Sequence, residues 1–580
     1  AMILAYALAG ALNVPTMFAQ AELATAMPRA AGSYFVVERS LGAYMGTVAG
    51  LFNWCAIGLK AAFALVGIGT LAAWFAPQLG EWGIKLTAIA ACIVFAAVNL
   101  VSVKGTGRLQ AGLVAGLVVV LVLYIAGGVI HGLNVSHYAP FFKGSTRTFL
   151  DVTGMVFISF AGLNKVVDVG EEIRSPARNL PLGMFLSFAV VNVLYVGVAF
   201  VTVGLLPAGA LSGSLRPVTE GAGVALGVFG LTAVGIGAFM AYATTGNAGI
   251  LAASRSPMAM SRDGLLPAFL SRKTRRAGTP HNAILVTSVL MILVIALLSV
   301  EHLVKTASTM LLISLALMNI SVIVMRQSRF AGYRPAFRMP LVPWLPLATV
   351  VMYGFLIAQM GYLPLLLTAA FIAAASIWYV VYVQHKIDRE AAVAYLIKNI
   401  LSKHIRRTGL EDELVQISLE RDDVQADRFD GLVRNAPILD IKEAVTAPEL
   451  FLRIGEALSG RLNMEPEFVR ELLLERERES STVIQPGLAI PHVVVRGENV
   501  FELALVRCRE GATFSELHPP VHVVFVLIGS NDQRNFHLKA LVAVAHTVQS
   551  RDFESRWMRA ANKEQLRDIV LLSERTRGAS

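Results

Sequence analysis

Charge is what this 580-residue chain has least of. Asp, Glu, Lys and Arg make up 16% of it and hydrophobic residues 55%, whereas a water-soluble domain carries roughly a quarter charged residues. Most of the chain is therefore built for lipid. The shortage is uneven: up to about His385 apolar runs alternate with short loops, and beyond it the charge density is that of a soluble domain. Cysteine is scarce too. Cys55, Cys92 and Cys508 lie far apart, which excludes a disulfide framework and a cysteine metal site. The first residues have no basic flank and no small-residue cleavage site, so they do not form a signal peptide. The formal net charge of +10 does not point to nucleic acid, because the lysines and arginines sit in loops beside apolar runs. That arrangement is how membrane proteins are oriented.

A bilayer crossing needs roughly 20 apolar residues. Eleven such spans are legible: Ala1 to Thr25, Leu41 to Ala76, Ile84 to Val103, Gln110 to Ile130, Phe149 to Val169, Leu182 to Leu205, Gly223 to Ala253, Ile284 to Val300, Val304 to Met325, Pro343 to Met360 and Leu363 to Val383. One set of alternate loops holds sixteen basic residues, from Arg29 and Arg39 through Arg174 and Arg178 to Arg334 and Arg338. The other set holds five, Lys85, Lys143, Arg147, Arg216 and Lys305. The excess places the first set, and the C-terminal domain with it, in the cytoplasm.

The most informative stretch is Ser159 to Pro181, SFAGLNKVVDVGEEIRSPARNLP. An apolar run stalls at Ala161-Gly162, then carries Asn164, Lys165 and Asp168 at membrane depth before Glu171-Glu172 and two prolines. A helix broken in mid-bilayer frees backbone groups that lipid cannot bond, so the break must line a protein cavity. Broken helices build the substrate sites of many secondary transporters. If this segment opens the second half of an inverted repeat, five spans run from it to Met325 and four precede it, so one more span is expected upstream of Ala1.

Three stretches in order resemble the amino acid–polyamine–organocation superfamily: AELATAMPRAAGSYFVVERSLG (Ala21 to Gly42), the break with its EEIRSP, and SRSPMAMSRDGLLP (Ser254 to Pro267). The resemblance implies an all-α polytopic membrane fold with five-plus-five inverted repeats and broken first and sixth helices. It implies transport of amino acids or related amines. On that reading Phe160, Ala161, Gly162, Leu163 and Asn164 hold substrate, with Phe160 as an aromatic gate. Free N–H groups at the break suit a carboxylate, and free carbonyls suit an ammonium.

The charges at membrane depth leave alternatives open. Lys165 and Asp168 share a helix face and either pair with each other or act in gating. Lys60, deep in its span, either neutralises a partner such as Asp168 or stands in for a coupling cation. Thr244 and Thr245, with Asn247, match the place where sodium-coupled relatives bind their ion, yet hydroxyls also join helices. Gln110 to Ile130 lacks the lysine that some relatives use as a proton-driven substitute. Na+ or H+ coupling is open, and no other cofactor or metal is expected. Glu22, Glu171 and Glu172, beside Arg29, Arg174 and Arg178, are gate latches or interfacial salt bridges.

Residues 1–384 thus read as the transporter, 385–434 as a charged helical linker, and 435–573 as one α/β domain in which helical and β-rich stretches alternate. RERESSTVIQPGLAIPH (Arg476 to His492) and NFHLKALVAVAH (Asn535 to His546) resemble the fructose–mannitol and nitrogen-related enzyme IIA domains of the bacterial phosphotransferase system. The resemblance implies phosphorylation of His492, with His537 as second histidine and a phosphocarrier protein as partner. Val493-Val494-Val495 departs from the small residue usual after the Pro-His pair, and a branched side chain there would crowd a docking carrier. The expected protein is a multi-pass transporter of the bacterial cytoplasmic membrane, not an enzyme, regulated by its IIA-like domain. The competing readings are a ligand sensor signalling through that domain, a membrane-tethered phosphotransferase component, and a transporter of another small solute or ion. A homo-oligomer is left open.

Overall fold

With no water in the bilayer core to bond exposed peptide groups, runs of this apolarity must close their hydrogen bonds as helices. The computed structural model describes the chain apart from residues 1, 29–31, 77, 79, 102–105, 140, 142–144, 161, 163–172, 174, 215, 273–278, 331, 387–390, 395, 397–408, 422–423, 425, 516–518, 551, 576 and 578–580. It divides into two units. One is Ala1–Ser328 with Pro335–Leu401, and the other is Arg329–Arg334 with Ser402–Ser580.

The first unit is helical: α1 (Met2–Ala26), α2 (Gly32–Leu41), α3 (Ala43–Phe75), α4 (Gly80–Val101), α5 (Thr106–His131), α6 (Thr146–Phe160), α7 (Pro176–Leu205), α8 (Pro217–Arg262), α9 (His281–Leu297), α10 (Val300–Ser328), α11 (Trp344–Ala358) and α12 (Tyr362–Trp378). Eight helices among the described residues are long and apolar enough to cross a membrane, and α9 and α11 are shorter apolar ones. Each of the eleven spans read from sequence falls on a helix. The bounds differ in physically telling places. α6 is Thr146–Phe160, and residues 161 and 163–169 of the expected span lie outside the described residues. α2 is a separate helix where a loop between spans is expected. α8 runs 46 residues and contains a left-handed kink at Gly227 (φ 63°, ψ −147°), a backbone shape that favours glycine.

Burial sorts the helices. In α3 and α10, 72% of the apolar window is buried, against 17% in α8 and 11% in α5, so α3 and α10 form the centre and the others present apolar faces outward. Small residues let α3 and α8 approach: a β-carbon on Gly249 would lie 2.4 Å from Ala61 Cβ. Polar ties do the rest. Asn99 donates to Asn247 Oδ1 at 2.8 Å, Trp54 to Thr287 at 2.9 Å, and Asn319 to Thr16 at 2.8 Å. The buried Glu22 carboxylate accepts both arms of Arg326, at 2.8 and 2.6 Å, and the Met339 amide at 2.7 Å.

In the second unit α13 (Gly409–Arg421) and α14 (Arg428–Asn435) precede an α/β domain. Its strands are β1 (Ile438–Ile441), β2 (Val445–Thr446), β3 (Val483–Gln485), β4 (Leu488–Ala489), β5 (His492–Val495), β6 (Phe501–Thr513) and β7 (Val521–Ser530). They form one sheet in the order β1-β6-β7-β4-β3, with β2 on β6 and β5 on β7. Side chains alternate along a strand, and both faces of β6 and β7 are covered. Leu503, Leu505, Phe525 and Leu527 pack with α14, α17 (Arg534–Val548), α18 (Phe553–Arg559) and α19 (Lys563–Leu571). Ala504, Val506, Val524 and Val526 pack with α15 (Ala447–Leu462) and α16 (Pro466–Glu479).

One position on the first face is an arginine. Arg507, fully buried, forks onto Asp440 of β1 at 2.8 and 2.7 Å and donates to the Trp557 and Ala560 carbonyls at 3.0 and 2.6 Å. It thereby fastens the end of α18, where the Trp557 carbonyl otherwise has the Ala560 N–H at 3.3 Å. Burial disfavours the Asp440 anion, but the forks of Arg507 and Arg509 outweigh it and hold the group well below the usual carboxylate range. Arg507→Met leaves the Asp440 anion short of a partner and should cost about 3–5 kcal/mol, read as faster hydrogen exchange in β6. A second fork, Arg575 onto Asp427 at 2.7 Å on both arms, fastens α14. Burial again opposes ionisation, yet Arg575 brings Asp427 down from 3.8 to about 2. Stability from this pair is full above pH 3.8 and is lost as pH falls towards 2. Asp427→Asn should flatten that acid limb in a melting series.

Candidate functional site

At the end of α6 the last carbonyls lose their helical partners. Tyr195 of α7 takes one, its hydroxyl donating to the Ser159 carbonyl at 3.2 Å. The Phe160 ring is buried at 4% exposure, edge-on to Tyr195 at 5.4 Å and 6.2 Å from Phe188. Tyr6 of α1 meets Tyr195 edge-on at 5.9 Å. Gly162 lies in an exposed turn, and a β-carbon there would touch no described atom within 4 Å. A cavity of about 500 Å³ is lined by Ser159, Tyr6, Tyr195, Thr70, Thr219 and Tyr242 among others. Ala161, Leu163, Asn164, Lys165, Asp168, Glu171 and Glu172 lie outside the described residues.

Of the coupling residues read from sequence, Lys60 is half-buried on α3. Thr244 donates its hydroxyl to the Met240 carbonyl of its own helix at 2.8 Å and faces Gly112 and Leu117 of α5. Thr245 is half-buried beside it, and Asn247 is engaged by Asn99. Glu22 binds Arg326, a partner 304 residues away that the sequence reading did not name.

The second site is the histidine pair. His492 opens β5, in register with Leu527 of β7, and His537 sits on the first turn of α17. Their ring centroids are 5.8 Å apart at 69°. His492 Nδ1 is 2.9 Å from the Ile490 carbonyl. A carbonyl can only accept, so Nδ1 carries the proton and Nε2 keeps its lone pair. That lone pair points to Arg476 Nη2 at 3.4 Å. The site therefore offers a neutral nucleophilic nitrogen with a cation beside it. Arg476 was quoted in the sequence motif without a role, and its place at the end of α16 supplies one. His537 Nε2 is buried and has no hydrogen-bond partner among the described residues. Phe501 packs edge-on to its ring at 5.5 Å, and a β-carbon at Gly529 would lie 2.6 Å from Phe501.

The valines after His492 do not crowd it as a block. Strand alternation turns Val493 and Val495 into the core, and leaves Val494 60% exposed on the side of His492. Arg428 of α14 donates to Gln533 at 2.9 Å and lies 4.1 Å over the Phe536 ring, one residue before His537.

Apolar helices, one of them ending beside a cavity, joined to an α/β domain with paired histidines, define a multi-pass membrane protein with a second, histidine-bearing domain. Residues 1–384 match the amino acid permease family, and the chain belongs to it. Residues 438–572 match the phosphoenolpyruvate-dependent sugar phosphotransferase system EIIA 2 family. The chain is 28% identical to a branched-chain amino acid permease of Bacillus subtilis over 45% of its own length and 56% of that protein's. It is 25% identical to the methylthioribose transporter of the same organism, over 60% of this chain and 78% of the relative. Among solved structures it is similar to the nitrogen regulatory protein IIA-Ntr of Neisseria meningitidis, at 24% identity and TM-score 0.23, covering 25% of this chain and 99% of that one. The reading of an amino acid permease fused to an EIIA-type domain is thus borne out.

Burial, and then the neighbouring His492, push the His537 imidazolium below its ordinary 6.5. The unfolded chain takes up that proton first, so the domain is at full strength above pH 6.5 and weakens as pH falls below it. His537→Gln should lessen the drop in melting temperature between pH 7 and pH 5.

Proposed function

We propose that this protein is a secondary active transporter of amino acids or related organic amines in the bacterial cytoplasmic membrane, tuned by phosphorylation of its C-terminal domain. The observation that carries the transport half is α6 stopping at Phe160-Gly162 beside the cavity, in a chain that belongs to the amino acid permease family. Backbone freed there would be satisfied by the substrate's carboxylate and ammonium. Residues 161–164 complete that site, and coupling to Na+ or H+ goes through groups such as Lys60 or Thr244 and Thr245.

The regulatory half rests on the histidine geometry. His492 Nε2 attacks a phosphoryl group carried by a phosphocarrier protein. A P–N bond forms to Nε2 as the donor's bond to phosphorus breaks, and Nδ1–H stays on the Ile490 carbonyl. Arg476 stands where it would neutralise the incoming charge, and His537 offers a second group to the phosphoryl oxygens. The phosphate adds up to two negative charges to a pocket that holds the Arg476 cation, which is enough to bias a neighbouring helix.

Counterflow uptake of labelled amino acids and polyamines into proteoliposomes tests the first half. One solute should accumulate, and Gly162→Trp should abolish its uptake without affecting His492 labelling. Charging the protein from phosphoenolpyruvate through a phosphocarrier tests the second. Label should appear in the wild type, be absent in His492→Ala, and fall at least tenfold in Arg476→Ala. A folded protein that moves none of the panel sinks the transport reading.

A further inference from the structure

The outer end of α6 is held by an ion pair whose cation has a second partner already in place. α6 is 15 residues long, about 22 Å at 1.5 Å per residue, so it falls short of the roughly 30 Å bilayer core. Its inner end is Phe160, two residues before the turn at Gly162. A helix this short moves as one rod, and the contacts at its outer end bear on whether it does. Ser308 of α10 donates to the Met155 carbonyl at 3.1 Å. One turn further out, on the side that the basic-residue bias assigns to the exterior, Lys305 Nζ of α10 reaches Asp151 Oδ2 at 2.9 Å. The two side chains are 12% and 24% exposed, which screens the pair less than a surface bridge.

Lys305 also lies 3.0 Å from Glu301 Oε1, four residues back on its own helix, and Glu301 is 64% exposed. The two carboxylates differ in what moves with them. Glu301 is rigidly tied to Lys305 through α10, whereas Asp151 travels with α6. Withdrawal of Asp151 therefore leaves the ammonium neutralised by Glu301. It also carries Asp151, whose Oδ1 is buried without a hydrogen-bond partner among the described residues, towards water. Neither charge is stranded, so the released state avoids the large penalty of an unpaired buried ion.

We propose that Lys305 is a two-position latch on the outer gate, holding α6 closed through Asp151 and releasing it onto Glu301. This rests on the transporter reading above, and concerns the movement that opens its cavity to the outside.

The test uses the full chain in right-side-out membrane vesicles, with Ser159→Cys on the cavity wall as the probe. The native cysteines are buried. A membrane-impermeant maleimide applied outside reports the open fraction. Asp151→Asn and Lys305→Met should raise the labelling rate about two- to fivefold, the effect of losing one ion pair. Glu301→Gln should do the opposite, since release then leaves the lysine unpaired. The exchange of charges in Asp151→Lys/Lys305→Asp should return labelling towards the wild-type rate, provided each variant elutes as a single folded species. Wild-type labelling in Asp151→Asn overturns the latch, as does a rise in Glu301→Gln matching that in Asp151→Asn. The assay needs no substrate. A chain that shows these shifts but moves no solute would keep the latch and lose the transport reading.

Discussion

Everything in the membrane unit depends on one constraint: a peptide group in hydrocarbon has no water to turn to. Helices satisfy it along their length, and their ends do not. The end of α6 therefore has to be provided for, and the structure shows how. Tyr195 bonds the Ser159 carbonyl, Phe160 closes over the apolar side against Phe188, and the cavity takes the other side. The same constraint governs Asn99, Thr244 and Asn319, whose polar atoms are bonded within or between helices.

The C-terminal unit obeys a different rule. There water is at hand, and the hydrophobic effect sorts β6 and β7 residue by residue onto two helical layers. Two arginines bring charge to that interior as forks. Arg507 on Asp440 and Arg575 on Asp427 are placed where loose helix ends or the linker helix need fixing. The histidine pair is the exception. Its polar edge is left partly open, with His537 Nε2 unbonded among the described residues and Arg476 at a long 3.4 Å from His492. An incompletely satisfied polar pocket beside a well-packed core is what the proposed phosphoryl transfer requires.

Much of this was legible in the sequence because it is local. Glycine and polar residues inside the apolar run after Phe149 announced the break within two residues of where α6 ends. The Pro-His pair and the NFHLK stretch carried the two histidines, and apolar length alone placed each span on a helix. What was not legible is pairing across distance. Asp151 and Lys305 are 154 residues apart, and Glu22 and Arg326 are 304 apart. No periodicity connects such positions. The short α2 escaped for another reason: Gly32–Leu41 is too brief and too polar for a span, and its helicity comes from packing rather than from pattern. Val493 shows the reverse error, where a neighbouring residue looked obstructive until strand alternation turned it inward.

The length of α8 has a consequence of its own. From Val228, after the kink, to Arg262 it runs 35 residues, about 53 Å, while a bilayer with its headgroups is about 40–45 Å thick. Even upright, the helix overhangs the lipid by some two turns. Hydrophobic mismatch from a thicker bilayer can thus be absorbed by the overhang, without tilting the rod or straining its neighbours. The last turns of α8 are packed rather than bare, with Ala253, Ser254, Ser256, Pro257, Ala259, Met260 and Ser261 buried. The end of α8 is therefore positioned by protein contacts rather than by the thickness of the lipid.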